Sequence, residues 1–277
     1  MKNKIVIIMC LVLVCAIFTG CSTDNEKVVD SEYKGESKVE GSFQIRFKDL
    51  VELKTLEKYN GKTVTAVGYL SPIMGYDSSF GYLMNLPYQT CPYCVPDDTR
   101  ITNTIAIFAP SGKKIEATEA AVVVTGTLKL EDYTDDYGYE YSYRIVDATL
   151  KNADTEAVGE KVALYNEVAD KKILSNLLEN LYVIDDDVFY EEYKLQGYNV
   201  KIQKVDLEVF ENIIKAIEDI KSDDLNTLKK AAEDAKSIGE EVNKIIDTQK
   251  IEGLKDYQKD MNECFDKINS WMLEYEL

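Results

Sequence analysis

The spacing of hydrophobic residues along the chain changes near residue 154. Between Gly61 and Lys151, apolar residues form short runs rich in β-branched side chains and separated by Gly, Pro, Ser and Asp, which is typical of β-strands. After residue 154 they recur every three or four residues over longer stretches, which is typical of amphipathic helices. The pattern predicts an α+β protein with a β domain at 43–153 and a helical domain at 154–277.

Five short strands are predicted in the β domain, and together they favour a barrel. They are expected at Lys62–Leu70, Phe80–Leu86, Thr104–Ala109, Ala121–Leu130 and Tyr141–Leu150. Gly68 and Gly126 lie in the first and fourth strands, where a residue without a side chain allows the sharp bend of a barrel corner. A short helix is expected at Lys48–Tyr59, and one or two helical turns at Lys113–Glu119, between the third and fourth strands.

The helical domain is predicted to contain antiparallel helices packed as a small bundle or long hairpin. A first helix begins near Thr155 and ends at Asp185-Asp186-Asp187, three acids that are typical of a solvated break. Gln196-Gly197 is a candidate hairpin turn. Later helices are expected at Val205–Ile220, after a cap at Ser222–Asp224, and along 254–275. The apolar stripes fit either a core or a surface that binds a protein partner, and the sequence leaves both open.

The N-terminus has the features of an export signal. Lys2 and Lys4 precede an apolar run, Ile5–Phe18, whose length is typical of a signal peptide and short for a membrane-spanning helix. The run ends in Phe18-Thr19-Gly20-Cys21, which resembles the lipobox of bacterial lipoproteins. An uncleaved membrane anchor and a plain secretory signal are the alternatives.

The resemblance to a lipobox implies that residues 1–20 are removed as a signal peptide and that Cys21 becomes the lipid-modified first residue. The acyl chains would then hold the protein at the cell membrane, facing the extracytoplasmic side, and this covalent lipid is the only cofactor that we expect. Residues 21–42 are mostly polar and are predicted to form a flexible tether between the lipid and the folded part.

Two stretches of the β domain, Asn60–Leu70 and Val122–Leu130, resemble strands of OB-like domains in bacterial extracytoplasmic proteins. The resemblance covers roughly a third of the chain and implies a five-stranded OB-like barrel followed by the helical domain. Many proteins of this kind have no assigned activity, so the resemblance implies a fold more than a function.

The composition excludes several functional classes. The net charge is −18 and the pI is about 4.5, so the protein would repel the phosphate backbone of nucleic acids. The chain contains no His, which rules out Ser-His and Cys-His catalytic pairs and removes the commonest metal ligand. We therefore expect no nucleic-acid partner, and an enzyme is the less favoured interpretation.

Two cysteines form the most distinctive motif of the β domain. Cys91-Pro92-Tyr93-Cys94 copies the active-site tetrapeptide of glutaredoxins, but here it lies between strands predicted to be antiparallel, so a thioredoxin-like fold is rejected. Three roles remain open: a structural disulfide, a metal site with oxygen ligands from Asp97 or Asp98, and a redox site in a different fold. The disulfide is favoured because export places the protein on an oxidising side of the membrane.

An acidic loop rich in Tyr, Glu131–Tyr141, connects the fourth and fifth strands. In OB-folds this connection borders the ligand-binding face, so Tyr133, Tyr137 and Tyr139 are candidate contacts to a ligand. Aromatic rings beside carboxylates suit stacking on sugars or peptides, whereas the spacing of the acids does not match a calcium-binding loop. A solvated hairpin loop with its turn at Gly138 is the simpler interpretation.

The sequence therefore favours a lipid-anchored binding or interaction module of the extracytoplasmic side, with no evident catalytic constellation. Its expected partners are the membrane, through the lipid on Cys21, and a protein that contacts the helical domain. The alternative is a thiol redox or metal-binding protein that uses Cys91 and Cys94.

Overall fold

The computed structural model of this protein describes residues 41–47, 53–75, 77–87, 104–135, 138, 140–153 and 155–277. Five of its strands close into a barrel, in which each strand pairs with two neighbours in the order β2–β3–β4–β8–β5 and back to β2. Strands β4 and β8 run parallel, and the other four pairings of the barrel are antiparallel. The barrel strands are β2 (Thr63–Met74), β3 (Phe80–Met84), β4 (Thr104–Phe108), β5 (Val122–Lys129) and β8 (Arg144–Asn152).

In the described part of the chain, three short strands lie outside the barrel proper. Strand β1 (Phe43–Gln44) pairs in parallel with the start of β2. Strands β6 (Tyr133–Thr134) and β7 (Glu140–Tyr141) pair with each other in the connection between β5 and β8. Six helices follow the barrel, so the predicted α+β class and the order of a five-stranded barrel before helices are confirmed.

The barrel closes where two glycines let strands approach closely. A Cβ atom on Gly126 would lie 2.6 Å from the backbone oxygen of Val146, and one on Gly68 would lie 2.7 Å from the backbone oxygen of Met84. Real Cβ atoms do not approach backbone oxygens so closely, so neither position has room for a side chain. The register of β5 against β8 also shifts between Thr125 and Thr127, on either side of Gly126, as expected at a barrel corner.

The segment between β4 and β5 differs from the prediction. Residues 109–121 contain a turn and extended chain, so the helical turns expected at Lys113–Glu119 are wrong. The turn is closed by a hydrogen bond from Lys113 N to Pro110 O. Beyond it, Ile115 N donates a 2.8 Å hydrogen bond to Ser78 O, and the Ile115 side chain is buried against the barrel. These tertiary contacts favour extended chain over the local helical preference.

The predicted helix at Lys48–Tyr59 is helical where it is described, as α1 (Leu53–Leu56) and a 3₁₀ turn (Glu57–Tyr59).

The helices of the C-terminal region differ from the prediction in number and boundaries. The predicted first helix is two helices, because Lys172 adopts a left-handed conformation with φ of 53° between them. The first of these is itself interrupted at Gly159, where φ is 79° and ψ is 171°. The hairpin turn predicted at Gln196-Gly197 is wrong: Gln196 and Gly197 instead follow the end of a short helix. The six helices are α2 (Thr155–Asp170), α3 (Ile173–Val188), α4 (Tyr190–Leu195), α5 (Leu207–Ile220), α6 (Asn226–Thr248) and α7 (Gln258–Leu273), with 3₁₀ turns at Asp223–Leu225 and Ile251–Tyr257.

The acids Asp185-Asp186-Asp187 do not form a solvated break. They lie inside α3, which continues to Val188, and the side chain of Asp187 is fully buried. The helix continues because its apolar stripe includes Leu181, Ile184 and Val188, which remain packed in the core on both sides of the acids.

One hydrophobic cluster includes both the barrel and the helices. Val67, Tyr69 and Val123, on the outer side of β2 and β5, pack in it with residues of α2, α3 and α7 that include Tyr165 and Trp271. A separate cluster fills the barrel interior. The outer face of β2 and β5 is therefore covered by helices, and the faces of β3 and β4 that point away from the barrel interior belong to a third cluster. Among the described residues, no helix is long and apolar enough to cross a membrane.

Candidate functional site

Five aromatic side chains of the described residues gather on the outer face of β3 and β4, and we call them the aromatic cluster. In β3, Leu83 points into the barrel core, whereas Phe80 and Tyr82 point to the opposite face because side chains alternate along a strand. Phe108 at the end of β4 stacks on Phe80 at a distance of 5.5 Å between ring centroids. The aromatic cluster consists of Phe80, Tyr82, Phe108, Tyr133 and Tyr141.

The other two rings come from the hairpin formed by β6 and β7. Tyr133 and Tyr141 are paired across this hairpin and contact Phe108 edge to face, at 5.7 Å and 5.4 Å between ring centroids. The chain turns at Gly138, whose φ of 87° suits glycine and whose N–H donates to Asp135 O at 3.0 Å. The hairpin predicted for this loop is thus present, and the hairpin lies over the aromatic face of the barrel.

Hydrogen bonds connect the buried rings to a carboxylate of the loop. The hydroxyl oxygens of Tyr82 and Tyr141 lie 3.3 Å apart, and the Tyr141 hydroxyl donates to Oδ2 of Asp135 at 3.0 Å. Tyr82 and Tyr141 are both buried, so these bonds satisfy polar groups that would otherwise destabilise the site. They also hold a negative charge at the edge of the aromatic cluster.

Tyr133 is the exposed ring of the cluster. About 37% of its surface is open to solvent. The guanidinium carbon of Arg144 lies 4.0 Å from the centroid of the Tyr133 ring, and Arg144 also forms a 3.1 Å ion pair with Glu131. Because Arg144 is itself buried and held by this ion pair, it supports the Tyr133 ring by a cation–π contact. The cation–π contact thus holds the exposed ring of Tyr133, and the carboxylates of Glu131 and Asp135 lie in the same loop.

Two carboxyl groups near the end of α3 are shielded from solvent: Asp187 is fully buried and Asp185 is half-buried. The Tyr193 hydroxyl donates to Oδ2 of Asp185 at 2.5 Å, and Oδ1 of Asp187 accepts from Gln203 N at 3.0 Å. Oδ2 of Asp187 is buried and has no hydrogen-bond partner among the described residues. Burial raises the pKa of the Asp187 carboxyl to about 7, and it also raises the pKa of Asp185.

Most of the site residues predicted from the sequence lie outside the described residues: Cys21, Cys91, Cys94, Asp97, Asp98, Tyr137 and Tyr139. Of the predicted site residues, Tyr133 is described, and it belongs to the aromatic cluster. Cys91 and Cys94 fall in the connection between β3 and β4. In the part of the chain that is described, no group of three or more Cys, Asp or Glu residues could hold a metal ion.

The sequence prediction missed five members of the site, Phe80, Tyr82, Phe108, Tyr141 and Arg144. The alternation of Phe80 and Tyr82 with Gly81 and Leu83 was a usable signal, but both faces of β3 are apolar and the strand therefore resembles one buried on both sides. Arg144 had a weaker signal, a charge at the start of a strand. The contact between Arg144 and Tyr133 forms because the β6–β7 hairpin packs beside Arg144. The sequence pattern does not show where that hairpin packs.

Comparison with known proteins leaves the family of this chain open. No protein-family model and no curated protein matches it. Among solved structures, a DUF3299 family protein from Pseudomonas aeruginosa PAO1 is similar over 35% of this chain and 65% of its own, at 16% sequence identity and a TM-score of 0.26. This chain thus spans about 65% of the length of that structure, and so low a TM-score does not define a shared fold.

Proposed function

We propose that this protein is a lipid-anchored binding module of the extracytoplasmic side of the cell membrane, and that its aromatic cluster binds a saccharide. The lipid anchor is supported by the apolar run before Thr19-Gly20-Cys21. Replacing Cys21 with Ala tests this part of the proposal. The variant should leave the membrane fraction, and a variant that stays membrane-bound would contradict lipid attachment at Cys21.

An OB-fold is the proposed identity of the barrel. The strand order supports it, because the fifth barrel strand, β8, lies between the third and fourth, β4 and β5, as in a five-stranded Greek-key barrel. One difference is that residues 109–121, between β4 and β5, contain no helix. In an OB-fold, ligands bind on the face of the second and third strands, bordered by the loops after the first and fourth strands. In this chain those elements are β3, β4 and the hairpin that carries Tyr133.

The charge of the protein favours a saccharide over a nucleic acid at this face. OB-folds bind oligonucleotides and oligosaccharides, and a net charge of −18 repels the former. Carboxylates accept hydrogen bonds from sugar hydroxyl groups, and Asp132, Asp135 and Glu140 lie in the loop around the rings. The observation that carries the proposal is the exposed ring of Tyr133, held by a cation–π contact with Arg144.

A glycan array probed with the full chain tests the proposal. Wild-type protein should bind at least one class of oligosaccharide, and Tyr133→Ala should weaken that binding about tenfold or more, because the variant loses the apolar surface that a sugar ring covers. Tyr198→Ala is the matched control, since Tyr198 is 63% exposed and lies beyond α4 in the helical region. Absence of binding to every glycan, or an equal loss in both variants, would overturn the assignment.

A further inference from the structure

A second open site lies on the barrel, and none of the five residues of the aromatic cluster lines it. It is a groove of about 450 Å³ between the chain after β4 and the end of β8. Ile115, Val122 and Ala148 are buried residues that line it, so its floor is apolar. We call it the lysine groove because Lys113, Lys114 and Lys151 also line it. A volume of this size suits a small organic ligand.

Two backbone segments of the barrel fix the positions of the three lysines. Lys113 and Lys114 follow a tight turn in which Gly112 has a φ of 72° and Lys113 N donates to Pro110 O. The backbone of Ile115 then bonds to Ser78 O, which fixes the segment against the barrel. Lys151 comes from β8, where it is paired with Val123 of β5. Two separate elements therefore bring positive charges to one groove.

The charges of the lysine groove are unusual for this protein. The helical region, residues 154–277, contains 30 Asp and Glu against 16 Lys, and many of those lysines are paired with acids, for example Lys229 with Glu218 and Lys236 with Glu211. In the described part of the chain, Lys113, Lys114 and Lys151 form no ion pair.

Two acids lie near the groove lysines, Glu116 and Asp77. Of the two, Glu116 lines the groove. Lys114 also helps to lower the pKa of Asp77, but hydrogen bonds within the Asp77–Ser79 turn are the larger cause. Neither acid forms an ion pair with a groove lysine, so the lysines remain available to a ligand.

We propose that the lysine groove binds a phosphate ester, with the phosphate near the three lysines and the organic part against Ile115, Val122 and Ala148. Lysine binds phosphate as a point charge, and three lysines at one site favour an anionic phosphate group over a neutral ligand. The apolar floor adds affinity for an ester over inorganic phosphate. The same chemistry is present in a soluble phosphate ester and in the headgroup of an anionic phospholipid.

Two probes separate these sources. The soluble probe is phenyl phosphate, titrated into the full chain by calorimetry with inorganic phosphate as the comparison. The membrane probe is the difference in binding between vesicles of phosphatidylglycerol and vesicles of phosphatidylcholine, because a lipid anchor on the protein inserts into both. Both measurements are made at low ionic strength, since salt screens exposed charges.

The test variant replaces Lys113, Lys114 and Lys151 with Gln. The matched control replaces Lys201, Lys215 and Lys250 with Gln, which makes the same change in net charge at exposed lysines of the helical region. We expect wild type and control to bind one of the two probes and the groove variant to bind it about tenfold more weakly or worse. Binding of phenyl phosphate would indicate a soluble phosphate ester as the ligand, and preferential binding to phosphatidylglycerol vesicles would indicate a phospholipid headgroup.

Two results would overturn the proposal. One is that wild-type protein binds neither phenyl phosphate nor phosphatidylglycerol vesicles in preference to the neutral vesicles. The other is that the control variant loses as much binding as the groove variant, which would show an effect of overall charge. Neither result bears on the aromatic cluster, whose test uses glycans and Tyr133.

Discussion

The hydroxyl of Tyr69 in β2 donates a 2.8 Å hydrogen bond to the backbone oxygen of Tyr275, 206 residues later in the chain. Both residues are buried, and the ring of Tyr165 in α2 contacts both. Two further bonds lie nearby, from Leu277 N to Asn85 O and from the Asn85 side chain to Glu276. Hydrogen bonds thus connect the residues after α7 to the barrel at the end of β3.

Removing the hydroxyl of Tyr69 should destabilise this connection. Tyr69→Phe keeps the ring in place but removes the hydroxyl that donates to the backbone oxygen of Tyr275. The free energy of unfolding should therefore fall by about 1–2 kcal/mol. Urea unfolding followed by circular dichroism measures the change. Tyr198→Phe, which removes an exposed hydroxyl, serves as the control and should leave stability within about 0.5 kcal/mol of wild type. Equal stabilities for Tyr69→Phe and wild type would show that the bond contributes nothing.

The barrel should not fold on its own, because helices cover part of its outer surface. A chain that ends at residue 154 would expose Val67, Tyr69 and Val123, which are buried in the full structure. It would also lose the bond from Ala121 N to Asn166 in α2. We expect this fragment to aggregate or to lack a cooperative unfolding transition. A fragment with dispersed amide signals in its NMR spectrum and a sharp thermal transition would contradict a shared core.

Period and composition were enough to predict the class of each half of the chain, but not the elements that depend on distant contacts. The strands around Val122–Lys129 have a strong β-branched pattern, and the structure places a strand there. Lys113–Glu119 had a weak local preference for helix, which a hydrogen bond between Ile115 and Ser78 overrides. Asp185-Asp186-Asp187 has the composition of a break, yet the helix continues because Leu181, Ile184 and Val188 are packed in the core.

Closure of the barrel should depend on the absence of a side chain at Gly126. Gly126→Ala places a Cβ atom 2.6 Å from the backbone oxygen of Val146, so strands β5 and β8 must move apart. We expect a loss of about 3 kcal/mol or more in the free energy of unfolding. Gly81→Ala in β3 is the matched control, because its Cβ would lie 3.6 Å from the nearest atom, the Cε of Met74, and meet only ordinary contacts.

Thermal and urea unfolding of the two glycine variants give the comparison directly. The Gly81→Ala variant should stay within about 1 kcal/mol of wild type, since the substitution also reduces the entropy of the unfolded chain. If both variants lose the same stability, the close approach at Gly126 is not what closes the barrel.

The candidate site could be predicted only in part, for a physical reason. The expectation for Tyr133 rests on an acidic, tyrosine-rich loop in the position that borders the ligand-binding face of OB-folds. The rings beneath it belong to strands whose two faces are both apolar, so alternation does not show which face points outward. The contact of Arg144 with the Tyr133 ring forms only when β6 and β7 pair. Strands of two residues are too short to give a recognisable pattern in the sequence.

The carboxyl of Asp187 is the group from which we expect a dependence of stability on pH. It is fully buried, and burial raises its pKa to about 7 from an ordinary value of 3.8, with the neighbouring charge of Asp186 as a smaller cause. Between these two pH values the folded protein retains a proton that the unfolded chain releases. The free energy of unfolding therefore falls as pH rises from about 4 to about 7, by up to about 1.4 kcal/mol per pH unit from this group.

Asp187→Asn should remove that dependence. The amide oxygen can still accept the hydrogen bond from Gln203 N, and the side chain stays neutral at every pH, as the protonated acid is. The variant should therefore gain stability relative to wild type at pH 8, and it should lose less stability between pH 4 and pH 7. Asp186→Asn makes the same change in charge one residue away and should keep most of the wild-type slope, because burial is the main cause of the shift at Asp187. Urea unfolding at pH 4, 6 and 8 measures all three proteins, and parallel curves for Asp187→Asn and wild type would show that Asp187 is ionised in the fold throughout this range.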